Sequence, residues 1–517
     1  MQLSLLDSNP YEAFSFREFW EIQRSTFVSF YFIFFVLALV ALYYLLPRKF
    51  RWTVLLAGSA AFYATAGFTP FLTIALSAAV TWGAALMIED TDKEARPRRK
   101  MFLFSSVAAL LFALIFGKLY NLYAWNIPYV IPLGISYYTF SAISYLADVY
   151  WGKDRAERNF FKLALFLLWF PKILEGPISR HKNVASQLTR GNRFDYEGFC
   201  FGVQLAMWGY FKKMVIADRL ALFTGTVLEA PDSYGGMILL LTMFLYAIEW
   251  YCDFSACADI ACGISEMFGI RLEKNFQRPF FSRSAAEFWR RWHITLGTWF
   301  KDYIYMPLAV SPQLIRLSGR IGKRFGRRPA KAFIILIPTF VTWILTGLWH
   351  GTGANFVAWG AYWATLISLS TIFAPEFRKL GALLRIDEKS ASWRRVQVAR
   401  TFILFCLGRL LSIPETLSES WSLFVSCFTN FRPWELTDGT LFQQGLIEPE
   451  FILSLLMIAL LWYVETQQEK GVEIRRRIAA WPLVIRCAFY AFSLLFILIF
   501  GIYGPGYNAG NFAYVVY

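Results

Sequence analysis

The sequence predicts an all-α polytopic membrane protein, and three observations predict it. Hydrophobic residues make up 57% of the 517 and charged residues only 17%, long stretches carry no charge at all, and the basic residues collect between those stretches. One soluble core of this size would not need so much apolar surface. A bilayer would, because a helix needs roughly 20 mainly apolar residues to cross about 30 Å of hydrocarbon.

Taken in order, residues 1–26 are polar, acidic and aromatic, without the basic start of a secretory signal, so no cleavable leader is expected. The stretch Asn9 to Phe27 reads as an interfacial helix leading into the first span. Residues 27–517 read as a single membrane domain, with no linker, low-complexity tract or repeat to divide them. Asp, Glu, Lys and Arg are missing from Ser25 to Pro47, Trp52 to Ile88, Leu119 to Ala147, Ala332 to Pro375 and Cys487 to Tyr517. The second and fourth of these are long enough for two passes each, the second turning near Gly67 and Pro70. With shorter apolar runs near 101–117, 161–178, 198–216, 233–251, 399–412 and 449–464, about 11 spanning helices are expected, some broken or re-entrant.

The net charge of +15 follows the loops, which argues for topology rather than nucleic acid. Arg48, Lys49 and Arg51 follow the first span and Lys93 to Lys100 the third, so these loops are expected in the cytoplasm and the N-terminus outside. The run Arg316, Arg320, Lys323, Arg324, Arg327, Arg328, Lys331 and the cluster Arg475 to Arg477 then fall inside, and the final span carries the C-terminus out. Anionic lipid or an anionic substrate would be served by the same excess.

Chemistry has few places to sit. The chain has three histidines. His350 lies in Thr346-Gly-Leu-Trp-His-Gly351, deep in an uncharged stretch, where an ionisable group marks a functional site by default and a packed core histidine is the plainer alternative. A neutral imidazole there suits a general base acting on a hydroxyl. Gly347, Gly351 and Gly353 thin the backbone around it for an approaching substrate chain. His293, in Glu287-Phe-Trp-Arg-Arg-Trp-His-Ile294, is either functional or packed among Trp289, Trp292 and Trp299. Arg283, Arg290 and Arg291 offer planar donors to phosphates, of a bound substrate or of lipid headgroups. The seven cysteines fall mostly in apolar runs, and Cys252, Cys257 and Cys262 are spaced so that they do not share a helix face; they read as buried small hydrophobes, not as a metal site.

A resemblance sharpens this. The blocks Pro132-Leu-Gly-Ile-Ser136, Tyr138-Thr-Phe140, Asp148-Val-Tyr150, Gly176-Pro-Ile178, Phe211-Lys-Lys213 with Ala217-Asp218, Tyr251-Cys-Asp-Phe-Ser255, Asn275-Phe276, Arg278-Pro279, Glu287 to Ile294, Asp302-Tyr303, Tyr305-Met-Pro-Leu308 and Leu348-Trp-His-Gly351 appear in one order. Over the core signature region 131–363 the chain resembles the membrane-bound O-acyltransferase family, in its bacterial polysaccharide O-acetyltransferase (alginate O-acetylation) branch. The resemblance implies a helical bundle with re-entrant segments and a central tunnel. It makes His350 and, on the side from which the donor arrives, His293 the catalytic residues, with Arg283, Arg290 and Arg291 as donor-binding candidates. It implies acetyl-CoA as a cytoplasmic donor substrate, no resident cofactor, and a cell-surface polysaccharide acceptor reached through a separate extracytoplasmic acetyltransferase partner. Tyr514, in Phe512-Ala-Tyr-Val-Val-Tyr517, matches the tyrosine of a C-terminal motif implied to relay the acyl group, although two neighbouring aromatic positions differ.

Two other readings stay open on the residues alone. One keeps the family and changes the reaction to D-alanylation or acylation of a lipid alcohol. The other is a transporter or lipid flippase, for which an imidazole-lined tunnel would also serve; turnover of acetyl-CoA separates it from an enzyme.

Overall fold

The computed structural model describes residues 27–123 and 132–503, and every regular element among them is helical. The interfacial segment expected at 1–26 lies outside the described residues. Helices Phe30–Leu45, Arg48–Ala64, Phe68–Asp90 and Arg96–Tyr123 begin the bundle. The first is capped by Ser29, whose side chain accepts from the Phe32 amide at 3.1 Å. The expected turn between the second and third falls at Gly67, with φ 109°, a conformation glycine adopts without steric cost.

Helix Ile135–Tyr150 is buried almost throughout. Gly134 before it has φ 66°, and a Cβ there would stand 1.8 Å from the Ile173 carbonyl oxygen, so the Pro-Leu-Gly block is a backbone contact that admits no side chain. The centre of the bundle is helix Gly236–Met267, 32 residues and about 48 Å long. Tyr196–Tyr210 lies against it by close backbone approach: a Cβ on Gly202 would stand 2.5 Å from the Gly263 carbonyl oxygen.

That neighbouring helix continues as a π-turn, Phe211–Ala217, which drives two lysines into the core. Lys213 Nζ pairs with Asp253 and, at 2.9 Å, with Asp218. Lys212 Nζ donates to Ser255 Oγ at 2.7 Å and pairs with Asp259 at 2.8 Å. Ionic groups are costly inside a membrane and persist where they find partners, so these pairs pin the π-turn to the central helix. They also explain why the two blocks Phe211-Lys-Lys213 and Tyr251 to Ser255 occur together.

The two ends of the central helix differ. At its start, the Gly235 amide donates to Glu435 Oε2 at 2.8 Å. At its finish, Arg475 pairs with Glu266 at 2.7 Å. Arg278 and Arg291 converge on Glu469 at 2.6 and 3.0 Å.

Among the described residues six helices are long and apolar enough to cross a membrane, or seven if the pair Ala354–Ile372 and Ala374–Leu383, bent by 66°, counts as one span. The expected count of about 11 is not confirmed. The apolar run at 161–178 is a nine-residue helix, Phe160–Leu168, followed by a 3-10 turn. The run at 198–216 is interrupted by the π-turn, and 399–412 belongs to Ala391–Leu410, which carries arginines along its length. Apolar content there serves packing inside the bundle rather than contact with lipid, which composition does not distinguish. The expected pair in Ala332 to Pro375 does form, as Arg327–His350 and Ala354–Ile372.

Candidate active site

His350 is the last residue of helix Arg327–His350, and the chain turns back through Gly351–Gly353 into Ala354–Ile372. The two helices meet at glycines. A Cβ on Gly347 would lie 2.2 Å from the Phe356 carbonyl oxygen, one on Gly360 2.4 Å from that of Trp343, and one on Gly351 2.1 Å from the Phe356 ring. The space these glycines leave is therefore filled by the hairpin itself, which corrects the expectation that Gly347 and Gly351 open a path for substrate. What they do is hold His350 still.

The half-buried imidazole stands between two indoles, 4.6 Å from the Trp349 ring centre and 5.1 Å from that of Trp359. It opens onto a narrow cavity of about 20 Å³, room for a water-sized molecule, walled by Trp250, Trp289, Trp292, Phe356, Trp359 and Phe405 with Arg409 and Ser412. Trp250 lies near the middle of Gly236–Met267, so the cavity sits about halfway through the bundle.

His293 is brought to the same place by a different device. Helix Ala285–Arg291 is capped by Ser284, whose side chain accepts from the Glu287 amide at 3.2 Å, and ends at Trp292 in extended backbone. His293 then adopts the left-handed conformation, φ 44°, ψ 51°, which turns its side chain into the core. Asn275 clamps this bend. Its carbonyl oxygen accepts from the Ile294 amide at 2.9 Å, and its Oδ1 accepts from the Thr295 amide at 3.2 Å and Thr295 Oγ1 at 2.9 Å. Because Asn275 Oδ1 is an acceptor in those bonds, the 3.1 Å contact to His293 Nδ1 has the imidazole donating, and the lone pair falls on Nε2. His293 is 3% exposed, and burial pushes its pKa down to about 3, so it is neutral at ordinary pH.

Trp349 joins the two histidines: its ring centre is 5.9 Å from that of His293 and it precedes His350 in the chain. Phe140 stacks on Trp299 at 4.2 Å and on Trp349 at 6.0 Å, and Tyr303 donates to Asp148 Oδ1 at 2.9 Å. The Ile178 amide donates to Thr295 Oγ1 at 3.0 Å. Signature blocks that are far apart in the chain therefore build one wall around the histidines.

The arginines divide. Arg291 is held by Glu287 at 2.8 Å and by Glu469 at 3.0 Å. Arg283 is surface-exposed, 4.0 Å from Glu287, and its carbonyl accepts from Arg400 at 2.7 Å. Arg290 is exposed, on the same short helix as Trp289 of the cavity wall. A second cavity, about 480 Å³, is lined by Arg48, Arg190, Arg193 and Arg271 with Asp195 and Glu266. Sequence reasoning missed it because its residues come from three separated stretches of the chain. Tyr514 lies outside the described residues.

Asn275 and Arg409 were also missed as site residues. Asn275 carries no charge to draw notice, though it stands in a quoted block. Arg409 did leave a signal, an ionisable residue inside the apolar run 399–412. The remaining histidine, His181, is bound to Asp154 at 2.8 Å and packed on Tyr145, away from these residues.

Comparison with known proteins shows what the chain is similar to. The family model described as "MBOAT, membrane-bound O-acyltransferase family" matches residues 153–317. A protein of Azotobacter vinelandii named "Probable alginate O-acetylase AlgI" is 33% identical over 309 residues, 60% of this chain and 56% of that protein. One of the same name from Pseudomonas fluorescens is 31% identical over 403 residues, covering 77% and 74%. The "Peptidoglycan O-acetyltransferase" of Helicobacter pylori is 30% identical over 276 residues, covering 48% and 49%. The chain thus spans about half to three quarters of the length of these relatives.

Proposed function

The chain belongs to the membrane-bound O-acyltransferase family, and from that premise we propose that it moves acetyl groups from acetyl-CoA on the cytoplasmic side toward an extracytoplasmic polysaccharide, with His350 as the catalytic base. The observation that carries this reading is the placement of His350 on a narrow aromatic cavity halfway along the central helix. A hydroxyl reaching that point is deprotonated by the imidazole as it attacks the acyl carbonyl, and the proton is returned to the leaving thiol.

The short helix Ala285–Arg291 supports the direction of traffic. It ends in the cations Arg290 and Arg291, while Trp289 and the adjacent Trp292 line the cavity. A donor whose phosphates rest among cations at that end would point its thioester inward. His293 is neutral and fixed by Asn275, so in this reading it accepts a hydrogen bond through Nε2 or orders Trp349 against His350, and it does not carry charge. The finished scheme places the protein in the cytoplasmic membrane with both termini outside, Tyr514 as the outward acyl relay, and a separate extracytoplasmic protein completing the transfer.

The test is thiol release from acetyl-CoA by the purified protein in detergent or vesicles. His350→Gln is expected to lower it by about 10² to 10⁴-fold without changing the melting temperature. Undiminished release in a folded His350→Gln variant sinks the catalytic assignment, and no release by the wild type, with uptake of a solute or lipid instead, favours the transporter. Tyr514→Phe should still bind acetyl-CoA but lose transfer to polymer if the phenol is the relay.

A further inference from the structure

Arg409 occupies a place where a cation is hard to keep. It is 8% exposed, its guanidinium carbon lies 3.8 Å from the Trp250 ring centre and 5.3 Å from that of Tyr246, and its Nη2 donates to Tyr246 Oη at 3.3 Å. Among the described residues no carboxylate pairs with it, and its Nε has no hydrogen-bond partner. Ring faces and one phenol offset part of the desolvation of a charge, but stability alone would be served as well by an apolar side chain. The guanidinium lines the same cavity as His350.

Resting on the acyl-transfer reading above, we infer that Arg409 is a second catalytic residue: its guanidinium donates to the acyl carbonyl oxygen and holds the negative charge that develops there. The His350 imidazole takes the proton of the acceptor hydroxyl as the new O–C bond forms. The carbonyl π pair moves onto oxygen, beside Arg409. When that pair returns, the C–S bond breaks and the thiolate leaves with the proton carried by the imidazolium. Arg409 neither gains nor loses a proton. A fixed cation in a dry aromatic cavity acts on such an oxyanion far more strongly than it would in water.

The experiment compares purified full-length wild type, Arg409→Gln and Arg409→Lys in thiol release from acetyl-CoA, alongside binding of an unreactive thioether analogue of acetyl-CoA. Arg409→Gln is expected to lower kcat by about 10² to 10³-fold while the analogue binds within about threefold of wild type. Arg409→Lys, which keeps a cation over the rings but loses the planar fork, should fall between. Added guanidinium ion should partly restore an Arg409→Ala variant. A folded variant with kcat within about threefold of wild type overturns the inference. So does a loss matched by weaker analogue binding, which would make Arg409 an anchor for donor phosphates. If Arg409→Gln does not fold, full activity in Arg409→Lys without the fork overturns it equally. A wild type that releases no thiol overturns the acyl-transfer reading itself, whereas an active wild type with undiminished Arg409→Gln overturns only this role.

Discussion

The two histidines of the site differ in what surrounds them, and that difference has a measurable consequence for His293. Burial holds its folded pKa near 3, against 6.5 for a free imidazole. Between those values the unfolded chain binds a proton that the folded protein refuses, so folding is favoured as pH rises. The contribution is fully present above pH 6.5 and is lost as pH falls, by about 1.4 kcal/mol per unit at most, until it levels near pH 3. Carboxylates titrate in the same window, so the difference between variants isolates the histidine. His293→Gln, which keeps a donor for Asn275, should show a shallower loss of melting temperature than wild type from pH 6.5 down to 4.5 in detergent. Parallel curves would mean that His293 is protonated, or solvated, in the folded protein. Activity should follow the same logic: a rate that falls through an acidic pKa near 3 to 4 would implicate His293, whereas one that titrates higher points to other groups.

At the scale of elements, the hairpin of Arg327–His350 and Ala354–Ile372 depends on backbone contact at Gly347 and Gly360. In a membrane, helices gain little from burying apolar surface against each other and rely on close packing instead. Gly347→Val places carbon where the Phe356 carbonyl oxygen already stands, 2.2 Å from the first added atom. The helices must separate, at a cost of about 1 to 3 kcal/mol or more, and His350 moves with them. Loss of acetyl transfer together with a lower melting temperature is expected, in contrast to His350→Gln, which should lose activity alone. A Gly347→Val protein as stable and active as wild type would show that the hairpin is looser than its backbone distances imply. The sequence signal at this element was partial. The uncharged stretch announced two helices and the motif announced His350, but glycines read the same whether they admit a substrate or a neighbouring helix. Likewise the blocks Tyr138-Thr-Phe140, Gly176-Pro-Ile178 and Asp302-Tyr303 were visible as a pattern, while the reason for them, stacking of Phe140 on Trp299 and bonding of Ile178 to Thr295, exists only once the chain is folded. Arg409 was legible as an oddity inside an apolar run, yet nothing local tied it to a histidine in another helix.

For the molecule as a whole, the distribution of charge sets a direction. The expected count of about 11 spans is not confirmed, since short buried helices and a π-turn use apolar residues for internal packing, and the orientation expected from the basic loops does not depend on that count. The ion pairs supply an independent frame. Arg475 meets Glu266 at the Met267 end of the central helix, and the loop holding Glu435 meets its Gly236 end, about 48 Å away. By the rule that arginine and lysine stay inside, the first end is expected to face the cytoplasm and the second to face out. Helix Pro312–Phe325 should lie on the cytoplasmic surface: Arg316, Arg320 and Arg324 are exposed, Leu314 and Ser318 face inward, and Ser318 Oγ donates to the Ala330 carbonyl at 3.0 Å. Gly319 on that helix has open space where a Cβ would stand, and Asp438 is exposed in the loop after Glu435, so both accept cysteine without repacking. With the exposed Cys487 replaced by serine, Gly319→Cys should be blocked only by a thiol reagent that enters the cytoplasm, and Asp438→Cys by one that does not. Labelling of both from the same side would overturn the orientation, and with it the route by which an acyl group enters at the basic end and leaves beyond His350.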